Sequence, residues 1–87
     1  WGNGGFMSPD RSALYGEPRL NHGCTAALFW VYLQYRMKSP DFHRETGLDA
    51  RDVCWFNVLQ KISRDAWSRQ PDNALDIEGY AKNAEGL

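Results

Sequence analysis

Three short stretches hold residues whose types and spacing could do chemistry. In "DNALDIEGYA" (72–81), Asp72 and Asp76 lie four apart and on a helix would share a face. Carboxylates one turn apart converge and can hold a divalent cation such as Mg2+, given further oxygens from another helix or subunit. The plainer alternative makes Asp72 a helix cap and Asp76 a solvated or ion-paired side chain. Lys61 and Arg64, three apart in "QKISR" (60–64), could grip a phosphate. They could equally form a solvated face, or pair with Asp72 and Asp76 across a helix hairpin. "YGEPRLNHG" (15–23) gathers Tyr15, Asn21 and His22 beside a helix start. Backbone amides there favour an anion, and His22 could exchange a proton near neutral pH. A lone histidine is as readily structural or exposed, and His43, in a polar connection, invites no role. The chain has no Gly-rich phosphate loop, no HExxH and no nucleophile–base motif.

Four helical segments would position these residues. "SPDRSALYG" (8–16) opens with Ser8 as N-cap and Pro9 at the first helical position, with Asp10 beside the positive helix end. Gly16 and Pro18 stop it after one or two turns. The second helix is expected from about residue 21 to 37. Its "AALFWVYL" (26–33) is apolar nearly all round, which predicts a central helix covered on several sides. "KSPDFHRETG" (38–47) follows as a polar connection broken by Pro40 and Gly47, with room for a short turn at 40–44.

The third helix carries the clearest signals. Asp49 as N-cap and Asp52 three later form a capping-box-like pair. At about 100° per residue, Trp55, Phe56, Val58, Leu59, Ile62, Ala66 and Trp67 fall on one half of the wheel. Asn57, Gln60, Lys61, Arg64, Asp65 and Ser68 fall on the other. Pro71 closes this segment, and a fourth helix is expected from about 72 to 85 with Ile77, Tyr80, Ala81 and Ala84 as its apolar stripe. Asp72, Asp76, Gly79 and Asn83 line the neighbouring face, where Gly79 would admit a close neighbour. No period-2 run, hairpin signal or internal repeat interrupts this pattern, so the fold class is all-α, a small bundle of three to four helices.

Bulk properties agree. At 87 residues there is room for one domain, near the lower limit of what one core can stabilise, so a homo-oligomer is expected. An apolar share of 43% is too high for a disordered chain. A net charge of −1 with mixed signs argues against nonspecific nucleic-acid binding, which needs a basic surface. Cys24 and Cys54 have no zinc-like spacing and read as reduced, buried thiols of an intracellular protein. No apolar run approaches the ~18 residues of a membrane span, and no secretory signal is visible. "WGNGG" reads as the start of a flexible leader over 1–7, with Met7 a candidate natural start and 8–87 a single helical domain.

In order along the chain, Arg11, "YGEP", Asn21, "LFWVYL", "DVCWFNVLQKISR" and "DNALDIEGYA" resemble a family of small, largely phage and prophage-encoded domains of unassigned function. The likeness spans about residues 8–85. It implies that Arg11, Tyr15, Asn21, Lys61, Arg64, Asp72, Asn73, Asp76 and Tyr80 form one polar set, as a pocket or as a buried network. It also implies a cytoplasmic setting in a bacterial host. More distantly, the arrangement is similar to the MazG-like all-α nucleotide pyrophosphohydrolases, homo-oligomers that hold Mg2+ with clustered acidic residues. Their ExxE half is absent here, and Asp72 and Asp76 are four apart where that family's ExxD is spaced by three.

Two functions follow as expectations. In the first, the protein handles a nucleotide or other phosphorylated ligand, with Mg2+ as candidate cofactor. Arg11, Tyr15, Asn21, His22, Lys61, Arg64, Asn73 and Tyr80 would then touch the ligand, and Asp72 and Asp76 the metal. In the second, it is a non-enzymatic protein that binds a host or phage protein, and the polar set only holds the fold. No catalytic residue is assigned by either.

Overall fold

The structure, a computed structural model, describes residues 17–87. The helix expected over 8–16, the leader, and the site candidates Arg11 and Tyr15 lie outside the described residues. Within them the chain is all-helical, with α1 (Pro18–Arg36), α2 (Ala50–Trp67) and α3 (Pro71–Glu85) and no strand. None of these helices is long and apolar enough to cross a membrane.

Local chemistry explains each boundary. Pro18 and Pro71 stand in the first turns of α1 and α3, where the missing N–H costs nothing and the fixed φ suits the helix. α2 begins with a complete capping box: the Asp49 side chain accepts from the Asp52 N–H at 2.9 Å, and the Asp52 side chain accepts from the Asp49 N–H at 3.0 Å. The connection between α1 and α2 is a series of turns ending at Gly47, whose φ of +70° lies in the left-handed region that glycine enters without strain. The Gly47 N–H donates to the His43 carbonyl at 2.8 Å and closes the last turn.

The expected cap at Asp72 is not the one observed. Gln70 holds the N-cap position of α3 without a side-chain cap bond, and Asp72 sits exposed in the first turn. There its charge still favours the positive helix end. The carboxylate serving this corner is Asp65, whose Oδ1 accepts from the Gln70 N–H at 3.3 Å from one turn back on α2.

Packing also departs from the expected order. The hub is α2: it makes its most extensive contact with α3, a lesser one with α1, and nothing comparable joins α1 to α3. α1, expected to be central, is a flanking helix with Leu20, Trp30, Val31 and Tyr35 exposed. Hydrophobicity identifies an apolar helix but not which of its sides meets a neighbour.

Burial is unusual in kind. Among the described residues the buried apolar side chains are Cys54 and Ala84, whereas Asn21, Thr25, Asp52, Ser63 and Asn73 are all buried. Ile62 and Trp67, on the apolar half of α2, are exposed, and Ser63, which falls between Leu59 and Phe56 on that same half, is interior. Around these polar groups, half-buried side chains supply most of the apolar contact. Phe29 of α1 stacks on Phe56 of α2 at 4.5 Å between centroids, and Tyr32 meets Phe56 edge-on at 5.3 Å. Of the two cysteines, Cys54 is buried as expected but Cys24 is exposed; neither forms a disulfide. Among the described residues nothing lies within 4 Å of where a Cβ would stand at Gly79, so neither α1 nor α2 makes the close approach expected there.

Candidate functional site

Two polar assemblies flank α2, and one of them was not anticipated. Tyr32 and Arg36, one turn apart on the inner side of α1, both reach Asp52 at the start of α2. The Tyr32 hydroxyl donates to Asp52 Oδ1 at 2.5 Å, and Arg36 Nε donates to the same oxygen at 2.8 Å. Arg36 also lies 3.7 Å from the Asp49 carboxylate, and its guanidinium stands 5.5 Å from the centre of the Phe42 ring. Asp52 is 2% exposed. Burial would raise its pKa, but the bonds from Tyr32, the Asp49 backbone and Arg36 together hold the carboxyl below its usual range. Tyr32 responds the opposite way: burial first, then its bond to the carboxylate, push its phenol up to about 12. Arg36 is raised chiefly by its bond to Asp52. Every charge in this group faces an opposite charge or a donor, which makes it a clamp between α1 and α2.

A sequence signal for the clamp exists. Asn21, Thr25, Phe29, Tyr32 and Arg36 recur at intervals of four, four, three and four, a polar and aromatic stripe through an apolar helix. Such a stripe marks a face that packs through hydrogen bonds. Asp52 itself was legible only as a capping residue.

The second assembly holds most of the expected site residues. Asn57, Gln60, Lys61 and Arg64 share one side of α2, set by their spacing of three, one and three. On its α3 flank, Lys61 Nζ meets Asp76 Oδ2 at 2.9 Å, with the lysine side chain only 15% exposed. This is the pairing across the helix hairpin that the spacing allowed. Arg64, half-buried, lies on the same side of α2. On the α1 flank, His22, Thr25, Ala26, Phe29, Phe56, Asn57 and Gln60 line a groove of about 360 Å3. Its floor is the stacked Phe29–Phe56 pair, and its rim carries an imidazole and two side-chain amides.

Of the remaining candidates, Asn21 and Asn73 are buried where helices meet. Asn21 is buried at the crossing of α1 and α2, where its carbonyl accepts from the Thr25 and Ser63 hydroxyls at 3.1 and 3.2 Å. Its side-chain Nδ2 has no hydrogen-bond partner among the described residues. Asn73 is buried against α2, and its Nδ2 donates to Asp65 Oδ1 at 3.3 Å. Asp65 also accepts from Arg69 at 2.9 Å. Bonds from Arg69, Asn73 and the Gln70 N–H together hold its carboxyl below the ordinary range. Tyr80 is half-buried on α3. Sequence reasoning missed Asp65, which organises the turn from α2 to α3.

The fit to a metal can be judged from the donors. Among the described residues no three His, Cys, Asp or Glu side chains come together to hold a cation. Asp76 is engaged by the Lys61 ammonium, and Asp72 adds at most one more carboxylate. This set does not fit a resident ion held by protein groups alone.

Fold and site together define a small all-helical domain whose helices are joined by interior polar bonds. Within that class, the chain belongs to the family of domains of unknown function DUF6378, whose family model matches residues 5–87. Comparison with curated proteins and with solved structures gave no match.

Proposed function

We propose that this domain binds a nucleotide or another phosphorylated ligand carrying a flat ring, along the polar side of α2. The observation supporting it is the groove between α1 and α2: an aromatic floor from Phe29 and Phe56, with His22, Asn57 and Gln60 at its rim. Its volume of about 360 Å3 suits a ligand ring, since small-molecule sites are mostly apolar with a few placed polar groups. Side-chain amides hydrogen-bond base edges, and aromatic rings favour flat heterocycles. Phosphate would extend along α2 toward Arg64 and Lys61. Mg2+ in this reading arrives with the ligand's phosphates, which suits an ion commonly bound by one or two carboxylates plus phosphate oxygens. The bacterial-host, phage-type setting and the MazG likeness belong to this reading and rest on the sequence motifs.

Titration calorimetry with the common NTPs and dNTPs, with and without Mg2+, tests it. Binding that Asn57→Ala and Gln60→Ala each weaken about tenfold supports the groove. No heat and no thermal shift with any nucleotide rejects it.

The closed Lys61–Asp76 pair favours a second reading, a protein-binding module whose polar set only fixes the helix hairpin. In that case Arg64→Ala lowers the melting temperature with no ligand present, and nucleotides change nothing.

A further inference from the structure

The outer face of α1 is unlike anything used so far. Leu20, Val31 and Tyr35 are 63%, 66% and 81% exposed, Cys24 and Ala27 between them are exposed too, and Trp30, 60% exposed, flanks the row. Leu20, Cys24, Ala27 and Val31 follow one another at intervals of four, three and four, the spacing of a helix-pairing seam, and Tyr35 continues the row. The face lies on the opposite side of α1 from the groove, and at its C-terminal end Val31 and Tyr35 border the clamp, sharing a shallow cavity with Tyr32 and Arg36.

We infer that a second copy of this chain covers this face, with the two α1 helices antiparallel about a two-fold axis between Ala27 and Leu28. A two-fold interface must be self-complementary, residue i meeting j as j meets i. About that axis the seam meets that demand. Leu20 comes opposite Tyr35 of the second copy, and Cys24 opposite its Val31. The small Ala27 sits at the crossing, where it permits an interaxial distance near the lower end of the usual ~8–10 Å. The same register sets Glu17, exposed at one end of the row, against Lys38, exposed at the other. Neither makes an ion pair among the described residues. Antiparallel pairing also opposes the two helix dipoles.

The size is adequate. Leu20, Trp30, Val31 and Tyr35 together expose roughly 600 Å2 per copy, so two copies could remove at most about 1,200 Å2, the lower edge of a standard stable interface. The pairing is independent of the ligand reading, because it uses no residue of the groove.

Sedimentation equilibrium of the full chain tests the pairing directly. The expected result is a reversible dimer of the 10.0 kDa chain. Val31→Arg should weaken it at least about 100-fold while helical circular dichroism is unchanged, because Val31 points away from its own fold. Glu17→Lys and Lys38→Glu should each weaken it about fivefold, and the double reversal should restore it to within about twofold. In a Cys24→Ser background, Ala27→Cys should cross-link to itself on oxidation and Leu20→Cys should not, since the two copies of residue 20 lie roughly 22 Å apart along the seam. A chain that stays monomeric at ~1 mM overturns the inference and leaves residues 1–16 as the candidate cover. A dimer indifferent to Val31→Arg, or self-cross-linking at residue 20, overturns it as well. Nucleotide titration of the Val31→Arg variant reads the groove separately from the pairing.

Discussion

The two sides of α1 invert the usual arrangement of a surface helix. Its inner side carries Asn21, Thr25, Tyr32 and Arg36 around a single phenylalanine that stacks across the interface, and it meets α2 through directed hydrogen bonds. Its outer side carries Leu20, Val31 and Tyr35 in the open. The difference is one of information. Hydrogen bonds act only at particular distances and angles, so the inner side specifies one register between α1 and α2. Apolar surface is non-directional, so in the proposed pairing the outer side would supply affinity and leave shape and end charges to choose the partner. A folded single domain normally reverses these roles, and the apolar surface left open here is what the proposed pairing of two α1 helices would bury.

The largest effect should come from breaking the inner side. Asp52→Ala removes half of the capping box and leaves Tyr32 and Arg36 without their shared acceptor. A loss of about 3 kcal/mol is expected, read as a fall in the urea midpoint. Asp52→Asn should recover part of it, because the amide oxygen still accepts while the charge is gone.

Acid and base should each loosen the same clamp without mutation. Asp52 has a folded pKa below its ordinary value of 3.8, so the stability it contributes is present above that value. That contribution is lost as pH falls through the lower folded pKa. Tyr32 works in the other direction. Its folded pKa of about 12 lies above the ordinary 10.0, so its contribution is full below pH 10 and fades between pH 10 and about 12. Thermal melts across both ranges should show these limbs, and Tyr32→Phe should remove the alkaline one.

At neutral pH Tyr32→Phe should cost about 1 kcal/mol, the ordinary worth of one hydrogen bond with its acceptor still served by Arg36. Lys61→Met should cost under about 1 kcal/mol, since the Asp76 carboxylate it leaves is half in water and can be solvated. The smallest effect belongs to the outer side. In solutions dilute enough to be monomeric, Tyr35→Ser should change stability by less than about 0.5 kcal/mol. A larger loss there would mean that the chain itself covers this face, and the contrast between the two sides would fail.

Much of this was legible along the chain. The helices fall close to where prolines, caps and apolar spacing place them, and the Asp49–Asp52 box is present as its residue types demand. The hairpin pairing of Lys61 with Asp76 was one of the options the spacing allowed, because a three-residue turn between α2 and α3 brings their facing sides within a lysine's reach. Other readings failed for a common reason. Treating α1 as central, Cys24 as buried, Asp72 as the cap and Gly79 as a point of close approach each assumed a particular neighbour, and periodicity describes one helix at a time.

From the sequence alone came the all-α class and the approximate helix bounds. Those follow from local rules, in which a residue's effect is decided within one or two turns. Only the tertiary structure decided that α2 is the hub, that Asp52 is the buried acceptor for Tyr32 and Arg36, and that Asp65 organises the second turn. It also decided which side of α1 is open. A helix that is apolar nearly all round can pack on any side, and the choice fell to the side whose few polar groups found partners on α2.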